Sequence, residues 1–135
     1  MTQWENMLAG EFFSPKVFEI GGKRVVCQRL LHTLQNCDPG NRELTEDVKR
    51  QLFCESGETL LTTPFFCEFG CNISFGGFAV INYNVTFVDY APIRAGKETY
   101  FAPGVVLNTL CLPLDPDVRE KGLAFAKPIV IEDDV

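Results

Sequence analysis

The sequence predicts a mainly β chain with an α N-terminal part. A short helical N-terminal domain occupies residues 1–57, and residues 58–135 wind into a parallel β-helix. From Cys67 to Leu107 large apolar residues recur every six positions. Phe75, Ile81 and Phe87 share one register, and after a two-residue slip at Asp89–Pro92 it resumes with Ala95, Phe101 and Leu107. The positions two before these are mostly small or apolar as well: Ile73, Ala79, Val85, Ile93, Thr99 and Val105. A period of six differs from the ~3.6 of a helix and suits short strands joined by tight turns, one side of a triangular coil per hexapeptide. Stacked coils of that kind bury one continuous core. The repeat is imperfect, and a plain antiparallel β domain is the alternative that periodicity leaves open. The last observation is a change of pattern near Thr62. Helical caps and periodicities precede it and glycine-punctuated apolar runs follow it, the segregated order of an α+β chain.

The elements follow in chain order. Met1–Gly10 reads as a short helix with Thr2 and Glu5 as a capping box and Gly10 as C-cap. Ser14-Pro15 opens a second segment. Lys23–Gln35 places Val26, Leu30, Leu31 and Leu34 on one helical face, and Gly21-Gly22 just upstream is expected to end that helix early. Residues 36–41, NCDPGN, read as a loop. Thr45 is then expected to cap a third helix, with Glu46 and Asp47 in its first turn and Val48, Leu52 and Phe53 facing inward. In the β part Gly70, Gly76, Gly77, Gly96 and Gly104 are expected to supply turns. Residues 108–128 form a long excursion with three prolines, of the kind that often carries function. Ile129 and Ile131 then resume a strand.

Bulk properties exclude several function classes. A formal charge of −6 and an acidic pI leave no basic stripe for phosphates, so nucleic acid is not an expected partner. No apolar run approaches the ~20 residues of a membrane span. Residues 1–13 lack the basic and apolar regions of a secretory signal, so a cytoplasmic location is expected, with no membrane partner and with the six cysteines reduced. Cys67 and Cys71 could form half a zinc site. The single histidine, His32, lies on a predicted helix, and buried thiols acting as small hydrophobes are the expectation, with no metal.

Several segments in order carry a family resemblance: MLAGEFF at 7–13, RLLHTL at 29–34, PFFCEFGCNISFG at 64–76, INYNVTFVDYAPI at 81–93, FAPGVVL at 101–107 and PLDPDVREKGLAFAKPIVI at 113–131. Together they closely resemble the maltose and galactoside O-acetyltransferases, acetyl-CoA-dependent enzymes of the hexapeptide-repeat class. The resemblance runs from Met7 to Val135. It implies a left-handed β-helix after the helical domain, a homotrimer with active sites between subunits, acetyl-CoA as co-substrate, and a sugar acceptor such as maltose, glucose or a galactoside. It assigns no residue to coenzyme A.

The implied mechanism is direct transfer, with a histidine as general base on the sugar hydroxyl that attacks the thioester. An imidazole suits the task because its pKa lies near neutrality. In the corresponding loop, Thr109-Leu110-Cys111-Leu112-Pro113-Leu114-Asp115, Leu112 stands at the histidine position, so no catalytic residue is assigned. By the same resemblance Glu68, Asn82 and Asp89 fall at substrate-binding positions, and Ser14 stands where an aspartate often contacts sugar. Relatives continue with further coils past the segment matching Ile131–Val135, and those coils build much of the acetyl-CoA groove. The resemblance therefore implies an incomplete β-helix, association through its last coil, and weak or absent transfer. The alternative is a non-catalytic relative or fragment that binds sugar or pairs with other chains.

Overall fold

The computed structural model describes residues 1–135. Helix α1 (Gln3–Leu8) starts with the expected capping box, in which Thr2 and Glu5 cap each other's backbone N–H groups. Gly10, at φ +79°, lies just beyond the Ala9 C-cap and turns the chain out of the helix. Helix α2 (Phe18–Asn36) begins earlier than expected and runs through Gly21-Gly22. Two glycines cost about 1 kcal/mol each against alanine in a helix interior. Packing overrides that cost, because Ile20 in the first turn is fully buried. The inward face of α2 is Ile20, Cys27, Leu31 and Leu34, so Cys27 takes the place expected for Val26, which is exposed. Helix α3 (Arg42–Leu52) also starts early. Asn41 is its N-cap, accepting from Leu44 N–H, while Thr45 sits inside the helix and donates back to Arg42 O.

The β part has three parallel sheets, one per side of a triangular coil. The first side holds β1 (Glu58–Leu61), β4 (Phe78–Ile81) and β7 (Thr99–Phe101). The second holds β2 (Phe65–Cys67), β5 (Val85–Val88) and β8 (Val106–Asn108). The third holds β3 (Ile73–Phe75), β6 (Ile93–Ala95) and β11 (Ile129–Ile131). Thr59, Ala79 and Thr99 stack on one side, Phe65 on Val85 on the next, and Ile73, Ile93 and Ile129 on the third. One coil therefore takes 20 residues, two six-residue sides and one of eight. The slip at Asp89–Pro92 is a constant feature of the corner between the second and third sides, and Phe69–Asn72 repeats it one coil below. At the next coil the same corner opens into the excursion, residues 108–128.

The interior is filled by Phe65, Ile73, Phe75, Ile81, Val85, Phe87 and Ile93, all at most 1% exposed. Aromatic rings stack through the coils: Phe87 lies 5.7 Å from Phe65 and 5.1 Å from Phe101, edge to face. The lower end is closed by the end of α3. Leu52 and Phe53 are buried there, and Phe53 meets Phe65 and Phe75. Gly70, at φ +77°, makes this closure possible, since a Cβ on it would stand 2.7 Å from Leu52 O. Of the glycines expected to supply turns, Gly70 and Gly104 adopt positive φ and Gly76, Gly77 and Gly96 do not; Gly77 leaves room for the Lys97 side chain.

The excursion is structured. Strand β9 (Leu110–Cys111) pairs antiparallel with β10 (Phe125–Ala126), and α4 (Pro116–Glu120) lies between them. Phe13 and Ala124 exchange backbone hydrogen bonds of 2.9 and 3.0 Å, which anchors the excursion to the N-terminal segment. A second apolar cluster forms there from Met7, Phe13, Ile20, Phe69, Tyr90, Ala91, Ala124 and Ala126. No helix is long and apolar enough to cross a membrane.

Candidate active site

The corner between the second and third sides holds two buried polar side chains, Asp89 and Thr109, beside a cluster of partly buried polar ones. Asp89 is fully buried. Its Oδ1 accepts from the backbone N–H groups of Glu68 (3.0 Å) and Phe69 (2.9 Å), and Oδ2 accepts from Asn72 N–H (3.4 Å). Asn72 Nδ2 returns a bond to Asp89 O at 2.8 Å. One carboxylate thus satisfies the amides that the two extra residues of the coil below leave without ladder partners. Burial raises the Asp89 pKa from 3.8 to about 6, against the opposing pull of those amides. One coil higher Thr109 does the same work with a hydroxyl, donating to Val88 O (2.6 Å) and accepting from Ala91 N–H (3.1 Å).

Beside this buried post lies a partly exposed polar cluster. Arg24 Nε donates to Glu68 Oε1, Tyr90 OH donates to the same oxygen at 2.8 Å, and Arg24 Nη2 donates to Tyr90 OH at 3.1 Å. Burial works against the Arg24 cation, but its bonds to Glu68 and Tyr90 prevail and its pKa ends above the ordinary value. Burial, followed by the bond to Glu68, raises the Tyr90 pKa. The Arg24 guanidinium lies 5.6 Å from the Phe69 ring centroid, and Lys23 Nζ lies 4.6 Å from that of Trp4. Just inside, the Cys27 and Cys67 sulfurs are 3.5 Å apart. Their hydrogen bond, then burial, holds the Cys67 thiol well above its ordinary pKa. Burial brings the neighbouring Cys71 thiol to about 11.

Two of the residues singled out in the sequence, Glu68 and Asp89, come together here through the Glu68 N–H bond. Asn82 does not join them. It sits at the corner between the first and second sides, with Oδ1 accepting from Tyr83 N–H at 2.8 Å and its own N–H bonded to Phe101 O at 3.0 Å. Ser14 N–H donates to Gln3 Oε1 at 2.7 Å. Leu112 is 65% exposed in the excursion. The loop after it is pinned by Arg119, whose Nη1 donates to Pro113 O and Leu114 O at 2.9 and 2.7 Å. His32 lies on the exposed face of α2, bonded to Asn36 and outside this cluster. Arg24 and Tyr90 were missed. Tyr90 directly follows Asp89 and could have been found as the next residue of the same corner. Arg24 had no signal, since only α2's packing brings it to Glu68.

No family model matches the chain. A hexapeptide-repeat acetyltransferase from Vibrio cholerae, solved with acetyl coenzyme A, is 34% identical with a TM-score of 0.87, covering 99% of this chain and 73% of that one. A Dictyostelium discoideum protein classed provisionally as an acetyltransferase is 35% identical over 98% of this chain and 70% of its own length. A maltose O-acetyltransferase from Clostridium difficile matches with a TM-score of 0.89 at 27% identity, covering 99% of this chain and 79% of that one. The chain belongs to the hexapeptide-repeat acetyltransferases. The β-helix is accordingly left-handed, preceded by the family's helical part. Within this family fold the corner holding Asp89, Glu68 and Tyr90 is also the corner from which the excursion with Leu112 departs.

Proposed function

We propose that this chain acts as an acetyl-CoA-dependent sugar O-acetyltransferase whose transfer step is slow because Leu112 stands in the place of a general base. The exposed aliphatic side chain of Leu112 carries this reading. Nothing on it can take the proton of a sugar hydroxyl, and the chain's one imidazole lies elsewhere. Acetyl-CoA as donor is supported by the Vibrio relative solved with it. A sugar acceptor is supported by relatives named maltose and galactoside O-acetyltransferases.

In this reading Glu68, held by Arg24 and Tyr90, offers a fixed carboxylate to acceptor hydroxyls, and buried Asp89 positions it through the backbone. Asn82 lies at another corner of the same coil, which suits a site shared between copies in a homotrimer. Apolar side chains on the outer faces support such packing: Tyr100 on the first side and Phe66 and Val106 on the second are all exposed. Six unpaired cysteines suit a reducing compartment, the cytoplasm.

The test is acetylation of maltose, glucose and a β-galactoside, read as acetylated sugar by mass spectrometry so that the chain's thiols do not interfere. Leu112→His is expected to raise the rate by about 10²–10⁴, the usual worth of a positioned general base. A wild-type rate equal to that of the variant would show that the base lies elsewhere. Absence of product from both would favour the non-catalytic reading, a sugar-binding or partner module.

A further inference from the structure

A sizeable cavity lies away from the Asp89 corner. It has a volume of about 570 Å³ and is bounded by the end of α2, by α3 and by β1. That size suits a small-molecule site. Leu34, Pro39, Leu60 and Leu61 give it apolar walls, and Arg42 and Lys49 bring two cations against one acid, Glu46. In a chain of formal charge −6 this is a local reversal of sign.

The two cations differ in kind. Lys49 is 4% exposed, and its Nζ donates to Thr59 O at 2.7 Å and pairs with Glu46 at 2.6 Å. Two of its three donors are thereby engaged, and one remains. Arg42 takes part in no ion pair, and its guanidinium makes no hydrogen bond within the chain, so its planar fork of donors is free. Arg42 also lies in the first turn of α3, at the positive end of that helix. Apolar walls lower the local dielectric and strengthen whatever charge pairing occurs between them.

We propose that this cavity binds a small ligand through an oxyanion, a phosphate or a carboxylate held by Arg42 and Lys49. The site is separate from the proposed acceptor corner. Gln35, which lines the cavity, and Arg24 are about 16 Å apart along α2 at its rise per residue.

The experiment is calorimetric titration of the full chain with inorganic phosphate and, separately, with malonate, at matched ionic strength set with chloride. Saturable binding of at least one anion is expected, weakened at least about tenfold in Arg42→Ala, as expected for loss of a charged hydrogen bond. Arg29→Ala, which removes an exposed cation on α2 outside the cavity, is expected to leave binding unchanged. Tighter phosphate binding would identify the group as phosphate, and tighter malonate binding as carboxylate. Two results would overturn the proposal: no saturation by either anion well past the ~1 mM range of weak ligands, or equal weakening by both substitutions. Since the readout is binding alone, the outcome is independent of whether the chain transfers acetyl groups.

Discussion

Replacing Asp89 with asparagine tests how the corner is held. The carboxylate is fully buried, and its two oxygens accept from three backbone N–H groups. Burial raises its pKa from 3.8 to about 6, so the folded chain binds this proton more tightly than the unfolded chain does. Well below pH 3.8 both states are protonated and the contribution is fully present. As pH rises towards 6 the unfolded chain has already released its proton, and stability falls until the folded group ionises too. The rise from 3.8 to about 6 corresponds to about 3 kcal/mol. The asparagine of the variant would keep an oxygen for the Glu68 and Phe69 amides and cannot titrate. Urea unfolding of both proteins across pH 4 to 7 isolates this contribution, because every other group is common to the two. Wild type is expected to lose about 2 kcal/mol relative to Asp89→Asn over that range, the rest of the contribution having gone below pH 4. A difference that stays flat within about 1 kcal/mol would mean that the amides fully offset burial. A difference that grows in favour of wild type would mean that they outweigh it, and would refute the assignment of burial as the dominant cause.

Two other substitutions probe the coil and its closure. Phe87→Ala removes a ring in contact with Phe65 and Phe101 at the centre of the core, and is expected to cost about 3–5 kcal/mol in urea or thermal unfolding. A loss under 1 kcal/mol would show a core able to collapse around the gap. Gly70→Ala places a Cβ 2.7 Å from Leu52 O at a positive φ, and is expected to destabilise by more than about 1 kcal/mol. By contrast Gly22→Ala, within α2 and with nothing within 4 Å of its new Cβ, is expected to stabilise by up to about 1 kcal/mol. Thermal melts showing the same sign for both glycines would refute the distinction between them.

Inward-facing residues set the six-residue register, so that part of the fold was legible from Phe75, Ile81 and Phe87 alone. The helix boundaries were less so. Gly21-Gly22 argued against helix, and only the burial of Ile20 and the docking of α1 against α2 explain why helix forms there. Thr45 has the chemistry of a cap, yet Asn41 is the cap because the NCDPGN turn delivers the chain to that point. In the candidate site, Glu68 and Asp89 could be named from their motifs and the link between them could not. It runs through a backbone amide that stacking of successive coils brings to the carboxylate. Arg24 enters the cluster from 44 residues away in sequence, by a helix-to-coil contact that no local pattern encodes.

The eight-residue side explains why chemistry collects at one corner. A six-residue side closes its backbone bonds onto the coils above and below. Two extra residues leave amides with no ladder partner, and each must be met by a side chain. Asp89 meets those of the coil below, and Thr109 meets Ala91. The same slack lets the chain depart without breaking the stack, so the excursion leaves at Thr109 and returns at Lys127, whose N–H bonds back to Thr109 O at 3.1 Å. Buried polar posts, the Arg24–Glu68–Tyr90 cluster and the Leu112 loop are thus consequences of one repeated insertion. Shortening the Asp89–Pro92 copy of that corner by two residues should therefore disturb the anchoring of the excursion through Thr109 before it disturbs the packing of Phe75 and Phe87, whereas shortening the Phe69–Asn72 copy removes the Gly70 contact with Leu52 and disturbs the core closure as well.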